Sequence, residues 1–226
     1  MKLPHKTLEK KLFANGYSLI YAVDEVGMGC LAGPVVVCAV GFTNHFYNKM
    51  HKKLRWLRDS KMLLAKQREF YAGELLKEKD LVYSLAYAMP KTIDKLNIYG
   101  AARLAMKRAI KKVECGGLKV AGPNSEKLHS TFYIPHSIIL VDGKTTIKGL
   151  NVEQIPIVKG DRKVFAIACA SIIAKVHRDK MMTRYAKKYP NYGFERHKGY
   201  GTKYHQAMLA ALGPSFIHRR SFRLEY

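Results

Sequence analysis

Leu19-Ile20-Tyr21-Ala22-Val23 is a short β-prone run, followed by two adjacent acids, Asp24-Glu25, and a glycine-rich turn, Gly27-Met28-Gly29. Pro34 then opens a second run, Val35 to Val40, which is too continuously apolar for a half-exposed strand and reads as a central one. Working outward, Leu64 to Lys79 has helical spacing, and Leu81 to Tyr87 is a third strand stopped by Pro90. Tyr99 to Val113 is an amphipathic helix, and Gly116 to Ser130 is an exposed connection rather than a domain boundary. A fourth strand, Ile138 to Val141, ends at Asp142-Gly143; a fifth, Ile155 to Val158, ends at Lys159-Gly160-Asp161. A long helix covers Phe165 to about Lys188, followed by a Tyr/Gly/His/Lys-rich loop (Asn191 to Thr202), a short helix (Lys203 to Leu212) and a basic tail. Strands mixed with helices imply an α/β or mixed-sheet domain with helices added at its C-terminal end. The expected organisation is a basic segment over 1–17 and a single domain over 18–226, whose helical extension begins at about 187.

Composition narrows the function. Of 226 residues, 40 are Lys or Arg and 17 are Asp or Glu, a net charge of +23 that suits a polyanion, most commonly nucleic acid. Cys30, Cys38, Cys115 and Cys169 form no C-x-x-C pair and read as small hydrophobes in a reducing compartment. The N-terminal stretch lacks the apolar core of a signal peptide, and no apolar run approaches the roughly 20 residues needed to span a bilayer. The expectation is a cytoplasmic protein with no membrane association.

With so few acids, their positions are informative. Asp24 and Glu25 follow the first strand, Asp142 the fourth, and Asp161 the fifth. Strand ends are where an α/β sheet opens its functional crevice. Carboxylates gathered there repel one another unless a hard divalent cation neutralises them, and Mg²⁺ or Mn²⁺ is the natural partner. Two such ions stabilise both the attacking and the leaving oxygen of a phosphodiester. Each acid also has a plainer reading: Asp161 as the N-cap of the long helix, and Asp142-Gly143 as an ordinary turn.

The stretch Tyr21 to Val36, Ala22-Val23-Asp24-Glu25-Val26-Gly27-Met28-Gly29 within it, resembles the opening signature of the type 2 ribonucleases H, the HII/HIII group. Further blocks resemble the family in order: Arg58-Asp59-Ser60-Lys61, Ile93-Asp94-Lys95-Leu96-Asn97-Ile98, Val141-Asp142-Gly143 and Lys159-Gly160-Asp161. Ala168 to Val176 with Arg178-Asp179, Tyr192-Gly193-Phe194, His197 to Thr202 and His218 to Phe222 complete the series, which runs from about Ser18 to Phe222 and points to the HII branch. The resemblance implies an RNase H-like mixed five-stranded sheet flanked by helices with a helical C-terminal extension. It implies hydrolysis of the RNA strand of RNA–DNA hybrids and incision at ribonucleotides in duplex DNA, leaving 3′-hydroxyl and 5′-phosphate ends. Its four metal-binding carboxylates carry over to Asp24, Glu25, Asp142 and Asp161, with two Mn²⁺ or Mg²⁺ ions. Asp179 is a rival for the fourth place, although an ion pair with Lys175 four residues away accounts for it.

Nucleic-acid contacts carry over to Gly27, Met28 and Gly29, to Lys61 and Lys198 as phosphate-gripping residues, to Asn97 and Ser171 near the groove, and to Tyr200 against the sugar. Plainer roles are a helix N-cap for Asn97, a small packed residue for Ser171 and a surface tyrosine for Tyr200. The chain departs from the HII pattern at Met28, where relatives usually carry an arginine between the two glycines. The Asp-Glu-Val-Gly-x-Gly wording is nearer HIII, and incision at a single ribonucleotide is the activity this puts in question. The chain is expected to act as a monomer, and its C-terminus lacks the glutamine-rich, doubly aromatic pattern of a sliding-clamp peptide. Competing readings are an HIII-like hybrid ribonuclease, a non-catalytic hybrid-binding module, and a recombinase or junction nuclease on the same fold.

Overall fold

The computed structural model describes residues 7–54, 57, 60, 63–115 and 136–222. Five strands form one sheet: β1 (Leu19–Val26), β2 (Val35–Phe42), β3 (Leu81–Ala88), β4 (Ser137–Asp142) and β5 (Glu153–Ile157), in the order β3-β2-β1-β4-β5. β1–β2 and β2–β3 pair antiparallel, while β1–β4 and β4–β5 pair parallel. The mixed sheet expected from the sequence is therefore observed. β2 is buried along its whole length because both its faces are covered, which is why it reads as an unbroken apolar run.

Alternation along the strands sorts side chains into two cores. Ile20, Ala22, Val36, Cys38, Ile138 and Leu140 face the long helix α6 (Phe165–Lys188). Leu19, Tyr21, Val23, Val35, Ile139 and Val141 face the helix α4 (Pro90–Cys115). On the α6 side the sheet is also covered by α1 (Thr7–Ala14), α2 (Asn44–Lys53) and α3 (Ala65–Leu76). α5 (Gly160–Lys163) is a single turn before α6; α7 (Phe194–His197) and α8 (Lys203–Leu212) build the extension around Ala32, Met182, Tyr192, Phe194, Leu209 and Ile217.

Some elements differ from the sequence expectation for local reasons. The helix expected from Tyr99 begins at Pro90, the first-turn position where a missing N–H costs nothing. It is interrupted at Asn97 (φ 58°, ψ 171°), whose Oδ1 accepts from the Gly100 amide at 3.0 Å and so caps the second half. α1 and α2 are short and polar, and each is held by a few buried side chains: Leu12 in α1; Phe46, Tyr47 and Met50 in α2. The cap position of α6 is Val164, and a carboxylate that reaches its first-turn amides is Glu9 of α1, accepting from Ala166 N at 2.9 Å. The expected exposed connection at 116–130 lies outside the described residues. No helix among the described residues is long and apolar enough to cross a membrane.

Candidate active site

β1 and β4 are parallel neighbours with Val23 opposite Val141, so one step further on Asp24 and Asp142 stand side by side near the strand ends. The acids lie inside the strands rather than after them, because β1 stays paired with β2 through Val26 and β4 ends on Asp142. Asp24, Glu25 and Asp142 each present a carboxylate oxygen, all within 4.8 Å of one another. Asp161, in α5, lies outside that trio and is buried at 8% exposure. Burial first, then the charges of Glu25, Asp142 and Asp161, hold the Asp24 carboxyl well above the ordinary range; a hydrogen bond from Ser171 works in the opposite direction.

Backbone and hydroxyl donors orient these acids. The Glu25 amide donates to Asp24 Oδ1 at 2.8 Å, and the Gly160 amide donates to Asp142 Oδ1 at 2.7 Å. A Cβ at residue 160 would lie 3.1 Å from that same oxygen and overlap Ile167, so glycine is what lets the backbone come this close. Ser171 is buried in α6, with its Oγ 3.1 Å from Ser60 Oγ. The same hydroxyl is within hydrogen-bonding reach of the Asp24 carboxylate. Asp179 is tied to Lys175 at 2.7 Å, with Arg68 3.7 Å away.

The connection between β1 and β2 carries Gly27-Met28-Gly29 and is clasped by the C-terminal extension. Cys30 bridges Tyr200, and Ala32 bridges His218, in short antiparallel contacts. Two buried arginines hold it from below. Arg219 donates from Nη2 to Gly27 O (2.6 Å), from Nη1 to Met28 O (2.8 Å) and from Nε to Gly33 O (3.0 Å). Arg178 donates to the carbonyls of Pro34, Lys198 and Ala32 at 2.9–3.2 Å. Gly27 has φ +99°, and a Cβ there would collide with the Arg178 side chain. Gly29 has open space where its Cβ would be. The Met28 side chain packs against the α4-side core.

Two of the remaining residues read from the sequence, Lys198 and Tyr200, lie on or next to the segment that pairs with this loop. Tyr200 is 38% exposed with Lys175 Nζ 5.9 Å from its ring centre. Lys198 adopts a left-handed conformation (φ 54°), and its Nζ donates to Thr183 Oγ1 at 3.0 Å and to Glu195 O at 2.6 Å. Asn97 is exposed at the break in α4. Lys61 lies outside the described residues. Arg178, Arg219 and Ser60 were not among the residues singled out as functional, although each falls inside a block that the family resemblance had marked. Beyond that block, the linear signal for Arg178 is its place on the buried face of α6.

The Ribonuclease HII family profile matches residues 22–225. A ribonuclease HII of Caldicellulosiruptor saccharolyticus is 43% identical over 215 residues, covering 95% of this chain and 92% of that protein. A ribonuclease HII of Chlorobium chlorochromatii is 41% identical over 220 residues, covering 97% and 96%. Among solved structures, the ribonuclease H2 of Pyrococcus horikoshii superposes with TM-score 0.61 at 26% identity, covering 92% of this chain and 95% of that one. The ribonuclease HII of Archaeoglobus fulgidus, solved as a complex with PCNA, gives 0.66 at 23% identity over 89% and 92% of the two chains, a likeness of fold.

Proposed function

The chain belongs to the ribonuclease HII family, and from that membership we propose that it is an endoribonuclease that cuts the RNA strand of RNA–DNA hybrids and incises at ribonucleotides embedded in DNA, acting as a monomeric catalytic domain. The observation that carries this reading is the trio Asp24, Glu25 and Asp142, with Asp161 beside it, in a protein of net charge +23. An acid cluster on a basic protein suits phosphodiester chemistry on nucleic acid.

The donor set fits a hard divalent cation. It offers carboxylate oxygens, and a cation would offset the mutual repulsion that raises the Asp24 carboxyl. Bound there, Mg²⁺ or Mn²⁺ supplies activation of the attacking water and stabilisation of the leaving 3′-oxygen. Asp24, Glu25, Asp142 and Asp161 are the proposed ligands. Ser171 and the Glu25 amide fix Asp24, and the Gly160 amide fixes Asp142, so both carboxylates are aimed before substrate arrives.

The remaining residues hold the substrate. With its carbonyls turned to Arg219, the Gly27–Gly29 loop has amides to offer a 2′-hydroxyl, and the open space at Gly29 admits a ribose. The Tyr200 ring stacks on the neighbouring sugar. Lys198 has three N–H donors, two of them already bonded within the protein, which leaves one for a backbone phosphate. Lys61 and Asn97 are proposed to add contacts along the backbone, which position the duplex without reading its sequence.

A second reading, an HIII-like enzyme with poor single-ribonucleotide incision, is favoured by Met28: its side chain is spent on the core and carries no donor for a phosphate. The metal assignment is tested by Mn²⁺ titration followed by electron paramagnetic resonance. Wild-type protein is expected to bind the ion and Asp24→Asn to lose affinity at least tenfold. Equal binding by both would remove Asp24 from the site.

A further inference from the structure

A basic feature lies on the α4 face of the sheet. A concavity of about 560 Å³ opens between α4 and the connection from β4 to β5. Arg103 and Lys107, one helical turn apart, form one wall; Thr145, Thr146 and Lys148 form the other, over a floor that includes the buried Ile147. No carboxylate lines it, and no ion pair joins any of the three cations to an acid among the described residues.

The backbone is shaped around the cation heads. The connection holds two glycines with positive φ, Gly143 (+114°) and Gly149 (+75°). At Gly143 the missing Cβ would stand 3.1 Å from Arg103 Nη2, and at Gly149 it would overlap Lys107 Nζ. Any side chain at these positions would push a guanidinium or an ammonium aside. Positive φ by itself favours glycine at both positions, and the missing Cβ atoms also leave room for the two cation heads.

We propose that Arg103, Lys107 and Lys148, with the hydroxyls of Thr145 and Thr146, form a second phosphate-binding site that grips the backbone of the bound duplex away from the scissile bond. The chemistry is that of a phosphate oxyanion: three cations, two hydroxyl donors and an apolar floor that accepts the sugar. The reading rests on the proposed ribonuclease function. The site shares its connection with the catalytic carboxylates, since Gly143 directly follows Asp142. Lys148 is six residues beyond Asp142, so its Cα lies at most about 20 Å away. That spans roughly six nucleotide steps at 3.4 Å each. The gripped phosphate therefore falls within about six steps of the cleavage point.

The test uses full-length protein carrying Asp142→Asn, so that binding is read without cleavage. The probe is a duplex with one ribonucleotide, in which single phosphates are replaced in turn by uncharged methylphosphonates, up to eight steps to either side. One or two positions within about six steps are expected to weaken binding roughly tenfold. Adding Lys107→Gln and Lys148→Gln should abolish the penalty at those positions only, and lower the salt slope by about one to two. An unchanged penalty at every position, or a uniform loss across all of them, overturns the site. A third arm offers a nucleoside 5′-monophosphate alone. Binding of it that requires Lys107 and Lys148, with the methylphosphonate profile unaffected, would make this a small-molecule site and also overturn the proposal. Failure of the wild-type enzyme to cleave any ribonucleotide-containing duplex is a separate outcome and bears on the ribonuclease reading.

Discussion

The guanidinium of Arg219 donates to the carbonyl of Gly27 at 2.6 Å, joining positions 192 residues apart. With its bonds to Met28 and Gly33, this one side chain turns three carbonyls of the β1–β2 connection inward. Arg219→Gln would leave most of them buried and unpaired. We expect a loss of about 3 kcal/mol in chemical denaturation and a larger loss of cleavage at a single ribonucleotide than on long hybrid. A stability change under about 1 kcal/mol would show that the clasp contributes little.

Gly27 and Gly29 should behave differently. Gly27→Ala places a Cβ against Arg178 at φ +99° and should destabilise the fold. Gly29→Ala meets open space, so stability should hold within about 0.5 kcal/mol. Cleavage should still fall at least tenfold if a ribose approaches that backbone. Full activity in Gly29→Ala would place the ribose elsewhere.

Met28→Arg supplies a forked donor at the position where the resemblance to the HII pattern implies an arginine. The expected outcome is a higher ratio of incision at a lone ribonucleotide to cleavage of long hybrid, measured with both substrates on one preparation. A flat or falling ratio would count against Met28 as the determinant.

The extension also carries a pH signature. His205 and His218 are buried with their Nε2 atoms 3.0 Å apart. Ser215 N donates to His218 Nδ1 at 2.8 Å, so His218 keeps its proton on Nε2 and passes that N–H to His205. His205 Nδ1–H then donates to Tyr200 O at 2.9 Å. Burial, with repulsion from the neighbouring histidines, pushes each down to about 4. Because the folded pKa lies below the unfolded one, the unfolded chain binds more protons between them. Stability is therefore present in full above about pH 6.5 and lost as pH falls towards 4, by roughly 3 kcal/mol per histidine. Denaturation midpoints at pH 7 and pH 5 should diverge in wild type and diverge about half as far in His218→Gln, where the His205 contribution remains; an equal divergence in both proteins would exclude the pair as the source.

Asp24, Glu25 and Asp142 were legible because each breaks an apolar strand run near its C-terminal end, although β1 itself continues through the acids to Val26, and a parallel register then sets Asp24 beside Asp142. The Asn97 cap was legible for a similar reason, since a local hydrogen bond leaves a local signature. Arg178 and Arg219 were not. A buried arginine reads like a surface one when all but one of the carbonyls these two serve lie 144 to 192 residues away. α1 and α2 escaped because short polar helices take their stability from a few tertiary contacts rather than from periodicity. The grouping of three acids with Asp161 set apart also depends on how α5 turns after β5, which no spacing rule fixes.

The most direct test offers purified protein, with Mg²⁺ and separately with Mn²⁺, two labelled duplexes: a long RNA–DNA hybrid and DNA carrying one ribonucleotide, with Asp142→Asn as the control. The account expects metal-dependent cutting of the RNA strand that leaves 3′-hydroxyl ends and disappears in Asp142→Asn. Absence of metal-dependent cleavage of either duplex by folded wild-type protein, or equal cleavage by the Asp142→Asn variant, would contradict it.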